Sequence, residues 1–155
     1  MATLLDPRDR AAIETRLASL TPDRERRWGR MNASQMVCHL TDAFRGALGE
    51  RSSPNTPRPA GLLGRTLVKW MALYVPAPWP RGLPTPPIAD QERGGTRPTT
   101  FDRDVEMLRA ARDRFMHELP AIAQRPHVFF GRLSQAQWAR WAYRHMDHHL
   151  RQFGV

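Results

Sequence analysis

The sequence predicts an all-α fold, a four-helix bundle with a long proline-rich crossover between its second and third helices. Three observations predict it. Apolar residues recur at intervals of three and four in four separate segments, the signature of half-buried helices. No segment alternates with period two over more than a few residues, so strands are not expected. Of the 14 prolines, 10 lie between Pro54 and Pro98, which sets one stretch apart from the helical remainder. A chain of 155 residues that is 41% hydrophobic has the size of one compact domain, spanning residues 1–155.

The first helix is expected from about Pro7 to Leu20. Asp6 is a good N-cap, Pro7 fits the first helical position, and Ala11, Ile13, Leu17 and Leu20 supply an apolar stripe. The second begins at Asn32 or Ser34 and runs to about Leu48 or Gly49, with Met36, Leu40, Ala43 and Ala47 toward the core. Gly49 followed by Arg51-Ser52-Ser53-Pro54 reads as its stop. The crossover, about 51–98, contains a short helix from about Leu62 to Tyr74. Its remainder is too proline-rich for regular helix, and Trp70, Tyr74 and Trp79 predict that it is packed against the domain. A third long helix starts at Thr99 or Thr100 and stops near Glu118, before Pro120. Phe101, Val105, Leu108, Ala111, Phe115 and Leu119 mark its buried face. The fourth starts at Ser134, where Ser134-Gln135-Ala136-Gln137 is a capping box, and continues to about Phe153.

Composition excludes several classes. With Cys38 alone, neither an intramolecular disulfide nor a cysteine-rich zinc motif is possible. The N-terminal residues carry no basic region followed by an apolar run, which points to the cytoplasm. The longest apolar stretch, Leu67 to Trp79, is interrupted by Lys69, Pro76 and Pro78 and predicts no membrane span. The formal charge of +9 comes from arginines scattered along the chain, with Lys69 the sole lysine among 24 basic residues. The densest run, Arg24, Arg26, Arg27 and Arg30, alternates with Asp23 and Glu25. No nucleic-acid reading element accompanies it, so no nucleic-acid partner is expected.

Six histidines remain to be explained, and three fall in His145-Met146-Asp147-His148-His149. At about 100° per residue, with His145 at zero, Trp138 lies at about +20°, Trp141 at about −40° and Ala142 at about +60°. His149 comes at about +40°, inside this apolar sector, whereas His148 comes at about −60°, on its polar border. His145 and His149 therefore point inward and His148 sits at the rim. Inward imidazoles at i and i+4 are close enough to share one metal ion at about 2.1 Å per bond. The alternative is that backbone, side-chain or water partners satisfy them. His39, at the edge of the second helix's apolar stripe, is the best candidate for a third ligand. His117, near a helix end, and His127, after Pro126, read as surface or capping residues. Cys38 lies about 100° round the helix from His39 and reads as a buried structural thiol.

The stretch Trp28-Gly29-Arg30-Met31-Asn32-Ala33-Ser34-Gln35-Met36-Val37-Cys38-His39-Leu40 resembles the early helix of the DinB/YfiT-like metalloenzyme superfamily. So does the C-terminal Gly131-Arg132-Leu133-Ser134 with Trp138 and His145 through Gly154. More narrowly, the chain is similar to a branch ending in a His-His-Leu-x-Gln-Phe-Gly tail. The resemblance implies a four-helix bundle in which one histidine of the second helix and an H-x-x-x-H pair of the last bind a divalent metal, zinc or nickel. By position these are His39, His145 and His149. Some members of the superfamily are thiol-dependent transferases or isomerases, so the resemblance implies a small-molecule substrate or a low-molecular-weight thiol as partner.

A metal-dependent thiol transferase, isomerase or hydrolase is the first functional reading. Three neutral imidazoles would leave a divalent ion its full charge and an open position. Gln152, at about −20° on the same face, is placed to donate to a ligand or to orient His145 or His148. Asp42, one turn after His39, is placed either to hold that imidazole's second nitrogen or to pair with Arg45. The second reading is a non-enzymatic binding module with a structural or vestigial metal site, alone or as a homodimer.

Overall fold

The computed structural model describes residues 1–51, 62–83 and 85–155, with the backbone alone for 62–65. The described residues form six α-helices and no strand, so the all-α expectation holds. The helices are α1 (Pro7–Ala18), α2 (Ala33–Ala47), α3 (Leu62–Tyr74), α4 (Phe101–His117), α5 (Leu119–Ile122) and α6 (Gln135–Gln152). None of them is long and apolar enough to cross a membrane. The expected stop of α2 falls partly at Ser52 to Pro54, and the first prolines of the crossover at 54, 57 and 59. Both lie outside the described residues.

Local chemistry fixes where the helices start. Asp6 accepts from the Arg8 amide to cap α1. Asn32 and Gln35 form a reciprocal capping box on α2, and Ser134 and Gln137 form another on α6. These two boxes matter most here, because they set the register of the two helices that carry histidines inward. α4 begins differently. Thr100 occupies the cap position without a side-chain bond, and the buried Asp104 accepts from the backbone and hydroxyl of Thr99 at 2.9 and 2.8 Å.

Packing follows the apolar faces. α2 packs along α4 and touches α6, α1 lies against α6, and α3 meets the other side of α6. Met36, Leu40, Phe44, Leu108, Phe115, Met146 and Leu150 are fully or almost fully buried between them. Phe44 and Phe115 pack against each other at a tilt of 55° and reach Trp141, tying α2, α4 and α6 into one aromatic core. Ala11, two residues from Ile13 and so on the opposite side of α1, is exposed and leaves the expected stripe.

The described part of the crossover is packed, with one correction. Trp79 donates its indole N–H to the Ala72 carbonyl at 2.8 Å, and Arg144 of α6 holds the Val75 and Ala77 carbonyls at 2.7 and 2.5 Å. Tyr74 and Trp79 are half-buried, but Trp70 is exposed. α3 docks through Lys69, Ala72 and Leu73, and this turns Leu67, Trp70 and Met71 outward. A single 3₁₀ turn at Pro87–Ala89, unforeseen in the sequence, lies against α2.

Candidate metal centre

His39 of α2 meets His145 and His149 of α6 in the interior. One ring nitrogen from each lies within 4.8 Å of the others. The ring centroids form a nearly even triangle: 4.7 Å from His39 to His149, 5.2 Å from His39 to His145, and 5.0 Å from His145 to His149. His39 and His149 are buried, and His145 is half-buried. Burial pushes the pKa of all three below the ordinary histidine value, which leaves the rings neutral.

The partners of the outer nitrogens determine where the protons sit. His39 Nδ1 lies 2.8 Å from the Ala89 carbonyl oxygen, which can only accept. Nδ1 therefore carries the proton, and Nε2 presents a lone pair inward. Gln152 donates its amide N–H to the Trp28 carbonyl at 2.8 Å, which fixes the amide's orientation and turns Oε1 toward His149. His149 Nδ1 donates to that Oε1 at 2.9 Å, so its Nε2 is likewise a free lone pair. His39 Nε2 and His145 Nε2 are 3.2 Å apart. Two nitrogens about 2.1 Å from one tetrahedral ion would stand roughly 3.4 Å apart. The donor set, the Nδ1 protons of His39 and His149 and the 3.2 Å spacing of His39 from His145 fit a divalent cation, which would displace any proton that His145 Nε2 shares with His39.

Two of the expected supporting roles are corrected. Asp42 neither touches His39 nor pairs with Arg45. It is buried and accepts from the Thr96 amide at 2.7 Å, the Thr96 hydroxyl at 2.6 Å, Gln91 Nε2 at 3.2 Å and the Arg51 guanidinium. The reason is chain geometry. The segment after the 3₁₀ turn folds onto α2 and brings fixed donors to Asp42, while the same turn delivers the Ala89 carbonyl to His39. Asp42 thus fastens the segment that holds the imidazole. Gln152 orients His149, not His145 or His148, because the Trp28 carbonyl holds its amide nitrogen and turns Oε1 toward the His149 ring.

With this geometry established, comparison with known proteins places the chain. Residues 5–154 match the family model described as Protein of unknown function (DUF1569). The chain belongs to this family. No curated protein and no solved structure matches it. The family description carries no activity, so the chemistry has to be read from the site itself.

The other histidines separate by environment. His148 sits at the rim as expected, half-buried, with its ring 6.0 Å from both Trp28 and Trp79. His117 ends α4 and is exposed. His127 departs from a surface reading: it is buried, stacked on Phe130 at 4.5 Å and set beside Trp138 and Trp141. A bridge to Gly131 closes the short loop and folds its ring inward. Its Nδ1 accepts from the Phe129 and Phe130 amides, so it caps a turn while buried, and burial takes its pKa down to about 3. Cys38 is a buried thiol pushed up to about 12, first by burial and then by Asp104 and Asp42, which suits a structural role. Sequence reasoning missed the Ala89 carbonyl and Trp28, since neither lies near the histidines along the chain.

Proposed function

We propose that this protein is a DinB/YfiT-like metalloprotein in which α1, α2, α4 and α6 form a four-helix bundle. In this reading His39, His145 and His149 hold a zinc or nickel ion, and the protein acts on a small molecule through a thiol or water nucleophile. The pairing of α2 with α4, of α1 with α6 and of α2 with α6 supports the bundle. One observation carries the metal reading: the two Nδ1–H groups of His39 and His149 are committed to oxygen acceptors outside the triangle, so their Nε2 lone pairs converge inside it. An ion held by neutral imidazoles supplies a Lewis acid that lowers the pKa of a thiol or water toward neutrality and polarises a carbonyl.

The chain's own residues do the rest. Ala89 and Gln152 keep two ligands in the binding tautomer, as outer partners of metal-bound histidines do. Trp79, 5.9 Å from His145, and Trp141, 5.3 Å from it, flank that ring and leave it half-buried. His148 stands at the rim, where an incoming molecule meets it before it meets the three inner rings.

Elemental analysis and zinc or nickel titration of the purified protein test this. The expected result is one tightly held equivalent, lost in His39→Ala, His145→Ala and His149→Ala, with each variant's fold checked by circular dichroism. A wild-type protein without metal, and folded variants with unchanged affinity, would contradict it.

A further inference from the structure

The cover over the three-histidine site is thinnest on the side of His145 and His148. His39 and His149 are buried, whereas His145 and His148 are half-buried, so an incoming molecule approaches past the latter two. The approach is built of flat apolar rings and cations. Trp79 lies 5.9 Å from His145 and 6.0 Å from His148, and Trp28 lies 6.0 Å from His148 on another side. The guanidinium of Arg81 sits over the Trp28 ring at 4.3 Å, and that of Arg144 lies 5.8 Å from the Trp79 ring.

The two arginines differ in what they have left to give. Arg144 spends donors on the Val75 and Ala77 carbonyls, so it braces the loop that carries Trp79. Arg81 is exposed and forms no ion pair with any described carboxylate. Stacking on an indole fixes the plane of a guanidinium while leaving its N–H edge free for a carboxylate fork. Asp147, next to His148 in sequence, is bound by Arg16 at 2.7 Å and Arg151 at 2.8 Å and leaves no free negative charge there.

The geometry points to a small flat anion, a carboxylate on an aromatic or conjugated frame, as the molecule this mouth admits. Trp28, His148 and Trp79 would grip the flat body, and Arg81 would bind the carboxylate. A single fork-shaped cation matches one carboxylate, and flat ring walls favour a flat body over a saturated one. The inference rests on the metal reading only for what happens deeper in the site. The mouth residues are positioned by protein contacts, so their preference holds with or without an ion.

Tryptophan fluorescence titrations with benzoate, benzamide and acetate test it, on zinc-treated and metal-free protein alike. Benzoate is expected to bind at least tenfold tighter than either benzamide or acetate in both forms. Arg81→Gln should erase benzoate's lead over benzamide while zinc affinity stays within twofold. Trp28→Leu, which keeps the backbone carbonyl used by Gln152, should weaken both aromatic probes. Equal affinity for benzoate and benzamide would overturn the anionic assignment, and equal affinity for benzoate and acetate would overturn the flat body. A lead that survives Arg81→Gln would remove Arg81 from the site. Absence of zinc binding with the Arg81-dependent preference intact would refute the metal reading and leave this inference standing.

Discussion

His127, like His39 and His149 of the histidine triangle, is buried; both sites are lined by rings, and Trp141 touches His127 and, in the triangle, His145. Their chemistry is nevertheless opposite. His127 Nδ1 receives two backbone N–H groups, so its proton lies on Nε2 and neither nitrogen is left with a free lone pair. His39 and His149 direct Nδ1–H at oxygen acceptors, which leaves Nε2 unprotonated and aimed at a neighbour. Burial alone therefore does not make a ligand. The polarity of the partner on the far nitrogen does, since it decides which tautomer the protein holds.

Three perturbations sharpen this contrast, in decreasing order of expected effect. The largest concerns acid stability. His127 binds a proton in the unfolded chain near pH 6.5 but in the folded protein only near 3, so the unfolded state binds more protons across that window. Its stabilising contribution is thus full at neutral pH and falls as pH drops from about 6.5 toward 3, by about 5 kcal/mol in all. Replacement by asparagine keeps an acceptor for the two amides and removes the titration. Urea unfolding at pH 7 and pH 4.5 should show His127→Asn less stable at neutral pH yet less acid-sensitive than the wild type. Equal acid sensitivity would show that His127 does not titrate in this way.

Gln152 comes next. Gln152→Leu removes the acceptor that holds His149's proton on Nδ1, and zinc affinity should fall by about 10- to 100-fold. Gln152→Glu keeps an acceptor for His149 but not the donor to the Trp28 carbonyl, and should recover part of the loss, a rescue that a merely structural role would not give. Calorimetric zinc titration of both variants decides it. The smallest effect is at Gly29, whose φ is +80° and where a Cβ would lie 2.5 Å from Gln152 Nε2. Gly29→Ala should cost about 1–2 kcal/mol of stability from the left-handed backbone and weaken zinc binding several-fold by displacing Gln152. Thermal melts and the same titration would show whether the two losses occur together.

How much of this was legible in the sequence follows from the range of the interactions. Asp6, Asn32 and Ser134 announced helix starts because capping is local, and the helical period placed His145 and His149 inward and His148 at the rim. His39 was legible as a candidate because its helix had a clear apolar stripe. The Ala89 carbonyl was not, because it reaches His39 across 50 residues through a turn fastened by Asp42, Gln91 and Thr96. His127 was misjudged for a related reason. Its short loop has no periodicity, and the bridge to Gly131 that buries it leaves no repeating pattern. Trp70 shows the limit of reading aromatic content as burial: α3 settles on Leu73, and its other apolar face is left exposed.

The central claim is that tautomers fixed by outer partners separate ligand histidines from a structural one. Long-range ¹H–¹⁵N spectra of the histidine rings during zinc titration test it most directly. Before zinc is added, protons are expected on Nδ1 of His39 and His149 and on Nε2 of His127. At one equivalent, Nε2 of His39, His145 and His149 should shift together while His127 stays fixed. Protonated Nε2 on His39 or His149, or a zinc response at His127 in place of the triangle, would contradict it.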